Sequence, residues 1–277
     1  NDLDFIDICT PPGYHSDIIF KALGSGLHVM CEKPLICSRN DLHRMQEAAA
    51  GSQRVIHVVN NWKYAPILIK TQKILNEKRI GNIRNISLSV LRTDASGGGL
   101  SDWRSCPEIA GGGILLDHGW HQLYLILSMM ADNPLSVSAE MGPADADNPR
   151  IEDTVDLVLT FPGAQARLHL TWRAGCRKNF GTVEGDRGTL AINDDHLVLA
   201  VQGQPETRYE FSEALSGGSH HSEWMKPVIT VFHREIIDPE IRGTNFNEAL
   251  WCATLIDLAY RSCREGARFM EIEAPAP

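Results

Sequence analysis

The chain has 277 residues, a formal net charge of −9, and 43% hydrophobic and 22% charged side chains. That balance excludes collagen, coiled coil and bulk disorder and leaves a globular protein of about two domains. The acid excess lacks the basic stripe of a nucleic-acid binder, and no window holds the ~18 unbroken apolar residues of a membrane span.

The chain opens without a methionine and runs almost at once into residues 3–9 (LDFIDIC), the pattern of a buried strand. Natural termini are more often polar and frayed, so an internal piece of a longer polypeptide is expected. Thr10-Pro11-Pro12-Gly13 stops the strand. Residues 16–23 then set Ile18, Ile19, Ala22 and Leu23 on one helical face, closed by Gly24 and Gly26. A second strand is expected at 27–32, stopped by Pro34. Ser38 with Asp41 resembles a capping box, and Leu42, Met45, Ala48 and Ala49 keep the helical period behind it. A third strand is expected at 54–59. Strands separated by helices imply a parallel sheet.

After Asn61 the pattern changes. Pro66 opens a helix carrying Ile67, Leu68, Thr71, Ile74 and Leu75, and Gly81 ends it. Ile86, Leu88 and Val90 alternate with polar residues as a half-buried strand. Residues 97–99 are a glycine loop, and 111–113 open a long helix expected to run from 114 to 130. From Leu135 the period is two through 141, 155–161 and 166–172. Short strands follow at 189–192, 197–201 and 208–211, and helices at 223–237 and 245–264 close the chain. The expected fold is α/β plus α+β. A partial Rossmann parallel sheet at 1–61 precedes a domain at 62–277 with a large, mostly antiparallel open sheet flanked by helices. Ligands of open parallel sheets sit beyond the carboxyl ends of the strands.

Lys33, in Glu32-Lys33-Pro34, stands at such an end. It reads either as an amine directed into the ligand crevice, where partial burial eases release of a proton, or as a solvated lysine before a turn proline. The proline also permits a cis bond. Asp117 and His121 are four apart and share a helical face. They read as a base with its orienting carboxylate, or as an ordinary surface pair. Asp117, His118 and His121 could instead serve a metal-dependent lyase or hydrolase, although the two histidines are splayed around the helix; no metal is expected. Trp103-Arg104 could line a polar pocket or cap a loop. His220-His221 have no assigned role, and Trp172 and Trp251 fall on apolar stripes and read as core. Seven cysteines, odd in number and without a CxxC pair, read as reduced thiols in a cytoplasmic protein. No GxGxxG follows a strand.

Taken together and in order, DFIDICTPPGYHSDII, KALGSGLHVMCEKPL, NNWKYAP, IGNI, AGGGILLDHGWHQL and RGTNFNEAL resemble the glucose–fructose oxidoreductase / inositol dehydrogenase / MocA family. The resemblance implies a Rossmann domain followed by an open-sheet substrate domain. It implies an oxidoreductase moving hydride between NAD or NADP and a sugar, polyol or related compound. By the same resemblance Lys33 bonds the reacting oxygen, Asp117 assists, and His121 takes the hydroxyl proton. Thr10, Pro11, Pro12, His15, Glu32 and Asn61 would lie along the cofactor, and Lys63, Trp103 and Arg104 toward the substrate. Lys63 stands where the family often has arginine. The family's first strands and glycine turn, about sixty residues, would lie upstream and choose between NAD and NADP. A homodimer or homotetramer is expected through the sheet face carrying Arg167, His169, Thr171 and Arg173. The competing class is a non-catalytic ligand-binding relative, which would be expected to lose Lys33, Asp117 or His121.

Overall fold

A computed structural model describes residues 3–37, 39–94, 103–145, 148–218 and 221–273. Ser38, the 97–99 glycines and His220 lie outside the described residues.

Strands β1 (Phe5–Ile8), β2 (His28–Cys31) and β3 (Ile56–Val58) form a parallel sheet in that order. Helices α1 (His15–Gly24) and α2 (Arg39–Ala50) make the crossovers. Ile8, Val29, Cys31, Ile56 and Val58 are buried in its core, as in parallel strands covered on both faces, whereas β1 leaves Phe5 exposed. Gly26, at φ +74°, turns the chain out of α1, and the Leu27 amide donates back to the Ala22 carbonyl at 3.0 Å.

The second sheet has nine strands. They are β4 (Ile83–Leu91), β5 (Ser136–Asp145), β6 (Asn148–Phe161), β7 (Ala164–Thr171), β8 (Lys178–Gly185), β9 (Gly188–Ile192), β10 (His196–Val201), β11 (Thr207–Glu210) and β12 (Met270–Glu271). The order is β11-β10-β9-β8-β4-β7-β6-β5-β12, antiparallel throughout except for the parallel β4–β7 pair. Val155, Leu157, Leu159, Leu168 and Leu170 point inward and are buried, whereas Asp156 and Arg167 on the opposite face are exposed. The inward face is covered by helices, among them α5 (Trp120–Met130) and α7 (Thr244–Arg264). The other helices are α3 (Pro66–Asn76), α4 (Pro107–Ala110) and α6 (Ser222–Ile237).

Three expectations change. β8 has no counterpart in the apolar pattern: it reads KNFGTVEG, its inward positions include Asn179, and Gly181 has no side chain. A Cβ on Gly181 would lie 2.3 Å from the Ser87 carbonyl on β4, so close strand approach selects glycine there. The long helix expected from 114 to 130 is divided: Leu115–Gly119 is a π-turn, and regular α-helix begins at Trp120. Trp251 is half-buried rather than core.

The last helices return to the first sheet. His57 on β3 meets Glu235 on α6 at 2.6 Å, both side chains buried. Asn245 on α7 takes both backbone groups of Val58. Its Oδ1 accepts from the Val58 amide at 2.6 Å, and its Nδ2 donates to the Val58 carbonyl at 3.0 Å.

Candidate active site

The carboxyl ends of β1 and β2 open onto a cleft of about 230 Å³. Thr10, Pro12, Glu32 and Lys33 form the sheet side of its wall, Trp103 and Arg104 another part, and Gly112, Gly113 and Asp117 the part leading into the π-turn. The Lys33–Pro34 bond is cis. Arg104 stacks over the Trp103 ring with its guanidinium carbon 4.3 Å from the centroid.

Lys33 and Asp117 meet in this wall. Lys33 Nζ donates to Asp117 Oδ1 at 2.8 Å and to the Asp117 carbonyl at 2.7 Å. Burial alone would raise the Asp117 carboxyl, but the Lys33 ammonium and then His118 outweigh it and hold the group well below the usual carboxylate range. Asp117 is therefore ionised. Burial raises neighbouring Glu32, and the Lys33 charge offsets this in part.

The network continues inward. His118 Nδ1 faces Asp117 Oδ2 at 3.2 Å, and Arg92 Nε donates to His118 Nε2 at 3.2 Å. An accepting Nε2 leaves the ring proton on Nδ1, toward the carboxylate. Burial lowers the His118 pKa despite Asp117, so the ring is neutral. His121 is 6% exposed and does not line the cleft. It stacks on Trp62 with centroids 4.8 Å apart, and its Nδ1 lies 2.9 Å from Tyr124 Oη. Burial first, then the charge of Lys33, hold His121 well below the ordinary histidine value.

Other expected residues are spread around this pair. His15 is fully buried, its nitrogens 2.9 Å from the Pro34 carbonyl and 2.8 Å from the Thr10 carbonyl. It ties the two loops that form the cleft wall together and does not itself line the cleft. Pro11 and Asn61 stand outside the lining. Lys63 also lies outside it and is ion-paired with Glu248 at 2.6 Å. Asn60, next to the expected Asn61, is the more engaged residue: its Oδ1 accepts from Trp120 Nε1 and its Nδ2 donates to Glu248.

One residue of the site carries no signal in the sequence pattern. Glu152 accepts from the Gly113 amide, the Leu115 amide and Tyr260 Oη, each at 2.9 Å, and so anchors the start of the π-turn. The glycines before Asp117 are close-packed. A Cβ on Gly113 would lie 1.9 Å from the Glu152 carbonyl oxygen, and one on Gly112 would lie 2.1 Å from Tyr260 Oη. Trp172 is buried in the core as expected and also lines the cleft. Among the described residues, no three His, Cys, Asp or Glu side chains cluster as metal ligands would. None of the described helices is long and apolar enough to cross a membrane.

Residues 1–60 match the family described as an oxidoreductase family with an NAD-binding Rossmann fold, and residues 68–191 match the GFO/IDH/MocA C-terminal domain. The chain is 27% identical over 256 residues to levoglucosan dehydrogenase of Pseudarthrobacter phenanthrenivorans, covering 82% of this chain and 66% of that protein. It is 30% identical over 260 residues to the uncharacterized protein YMR315W of Saccharomyces cerevisiae, covering 90% of this chain and 68% of that one. The fold superposes on the crystal structure of aldose-aldose oxidoreductase from Caulobacter crescentus with a TM-score of 0.80 at 23% identity, over 98% of this chain and 80% of the other.

Proposed function

The chain belongs to the Gfo/Idh/MocA oxidoreductase family, and from that premise we propose that it is an NAD(P)-dependent oxidoreductase acting on CH–OH groups of a sugar, polyol or related compound. The observation that carries the reading is the Lys33–Asp117 pair, an ammonium on an ionised carboxylate at the carboxyl end of a parallel sheet.

A nicotinamide cofactor fits the residues present. The cleft lies where open parallel sheets take dinucleotides, with exposed Thr10 on one side and the Lys33–Asp117 pair on the other. Thr10, Pro12, Glu32 and Lys33 would hold it, Pro11 and Asn61 would stand beyond the cleft wall along it, and His15 would keep their loops in register. When bound, the cofactor supplies hydride transfer. Lys33 donates a hydrogen bond to the reacting oxygen, and Asp117 keeps that ammonium oriented. His121, behind the cleft wall and 2.9 Å from Tyr124 Oη through Nδ1, would take the hydroxyl proton. Trp103 and Arg104 face the substrate; Lys63 supports that side through Glu248.

The same proposal takes residues 1–61 as the cofactor-facing domain and 62–277 as the substrate domain. It also takes the protein to be cytoplasmic and a homodimer or homotetramer paired through the sheet's outer face. That face is polar, with Arg167 exposed and His169 paired to Asp156 at 2.8 Å across the strands.

The test is reduction of NAD⁺ and NADP⁺ by the full chain across a panel of sugars, polyols and sugar acids, followed by absorbance. Lys33→Met should lose about a hundredfold or more in turnover. An active Lys33→Met enzyme, or no turnover with any compound while cofactor binds, would sink the reading.

A further inference from the structure

Strand β6 breaks its own alternation beside the cleft. Val155, Leu157 and Leu159 are buried on the inward face, so a period of two assigns Asp153 to that face and Glu152 to the other. Both carboxylates are nonetheless buried, with Glu152 at 4% exposure and Asp153 at 5%. The register explains this. Gly142 of β5 pairs with Thr154 and Pro143 pairs with Glu152, which leaves Asp153 as an extra residue in the ladder. A bulge of this kind re-aims a side chain. Here the two carboxylates serve two walls of the cleft. Asp153 bonds the Arg173 guanidinium, and its carbonyl accepts from the amide of cleft-lining Trp172 at 2.8 Å. Glu152 reaches the π-turn.

From Glu152 the connection to Lys33 runs bond by bond. Glu152 Oε2 accepts from the Gly113 amide and Oε1 from the Leu115 amide, each at 2.9 Å. The Gly113 carbonyl accepts from the Asp117 amide at 3.1 Å. Asp117 accepts from Lys33 Nζ at both its carboxylate and its carbonyl. The third partner of the Glu152 side chain is Tyr260 Oη, also a donor. Donors on both oxygens are what a carboxylate satisfies and a protonated carboxyl does not. Burial raises the Glu152 carboxyl, and the bonds from the turn amides and Tyr260 oppose the rise. The charge sits at the amides that open the turn into α5, where an anion is favoured. Glu152 does not line the cleft, so whatever it does for the reaction it does through the turn.

We propose that Glu152 is a positioning residue for the reaction: by holding the Gly113 and Leu115 amides it sets where the π-turn presents Asp117 to the Lys33 ammonium. This rests on the oxidoreductase reading above and adds to it a residue outside the cleft. Each carboxylate oxygen holds one turn amide, so glutamine, with a single acceptor oxygen, must release one of the two. Aspartate keeps the charge and is one methylene short of spanning both. Tyr260→Phe removes a bond to the same carboxylate and leaves both turn amides held.

Thermal melts of the full chain, without ligand and at neutral pH, would close a cycle of Glu152→Gln, Asp117→Asn and the double variant. If Glu152 acts through the pair, the melting-temperature loss caused by Asp117→Asn should shrink in the Glu152→Gln background to about half its wild-type size or less. A role in stability alone leaves that loss unchanged and overturns the proposal. Turnover of D-glucose, D-sorbitol and D-gluconate with NAD⁺ and NADP⁺ supplies the second arm. With the compound turned over fastest, Glu152→Gln should lower kcat about tenfold or more with KM within about threefold, and Tyr260→Phe should stay within about threefold in both. Equal losses of kcat in the two variants, or a raised KM with kcat unchanged, overturn the proposal. If Glu152→Gln fails to fold, Glu152→Asp takes its place in both arms with the same expectations. A wild type that binds cofactor and turns over no compound refutes the oxidoreductase reading, and the melting cycle still decides whether Glu152 acts on Asp117.

Discussion

Lys33 holds Asp117 by two acceptors at once, the carboxylate at 2.8 Å and the backbone carbonyl at 2.7 Å. One ammonium thereby ties the end of β2 to the π-turn 84 positions later, fixing both the charge and the path of the segment that carries Asp117.

Asp117→Asn should lower turnover by about a hundredfold or more while substrate affinity changes less, because the oriented ammonium is used most as charge develops. Its effect on stability should depend on pH. A carboxylate with a depressed folded pKa stabilises the fold above its unfolded value, about 3.9, and this fades as pH falls toward the folded value. The melting-temperature gap between wild type and Asp117→Asn should be full above about pH 5 and shrink below about pH 4. A gap independent of pH would contradict the ionised assignment.

His15, His118 and His121 are all lowered chiefly by burial. Below about pH 6.5 the unfolded chain takes up protons that these folded rings refuse, so stability should decline as pH drops from there. Melting curves between pH 5 and 8 would measure the slope. His121→Asn should flatten part of it and, as the proposed base, cut turnover by about a hundredfold or more. Full turnover in that variant would remove His121 from the mechanism.

The glycines before Asp117 can be tested against one with room to spare. Gly113→Ala would drive a methyl to within 1.9 Å of the Glu152 carbonyl oxygen. It should destabilise the fold by about 1–3 kcal/mol or more. Gly24→Ala, at the end of α1 with no atom within 4 Å of its new Cβ, should be neutral or stabilise by up to about 1 kcal/mol. Chemical denaturation of the two variants would rank them, and equal stability would contradict the packing.

Cys9 is exposed at the cleft and Cys176 is exposed away from it. Burial, then Asp7 and Glu32, raise the Cys9 thiol, so alkylation should be slow near pH 7 and quicken in alkaline solution. NADH should protect Cys9 and leave Cys176 unprotected, as read by mass spectrometry of the labelled peptides. Equal labelling of Cys9 with and without cofactor would argue against cofactor in this cleft.

Much of the architecture is legible in the residues because period two and period 3.6 survive wherever a face is buried. Val155, Leu157 and Leu159 announce β6, and Ile67, Leu68, Ile74 and Leu75 announce α3. β8 is not legible, since its inward side is interrupted by Asn179 and Gly181. In the site, Lys33 and Asp117 stand in recognisable segments, and their contact agrees with a shared cleft. Glu152, Arg92 and Asn179 leave no trace in spacing. A single polar residue in a strand looks the same whether it faces water or a buried turn, and only the register of neighbouring strands decides. His15 and Lys63 show the converse: both stand in recognisable segments, yet their polar groups are turned to Pro34, Thr10 and Glu248.

The two bonds from Asn245 to Val58 have a bearing on association. β3 forms one border of the parallel sheet, and such a border invites another strand to add to it. The Asn245 amide acts there as a false neighbour, occupying the outward donor and acceptor at the last residue of a three-residue strand. Growth of the parallel sheet past β3 is thereby opposed at Val58 by a side chain rather than by a further strand.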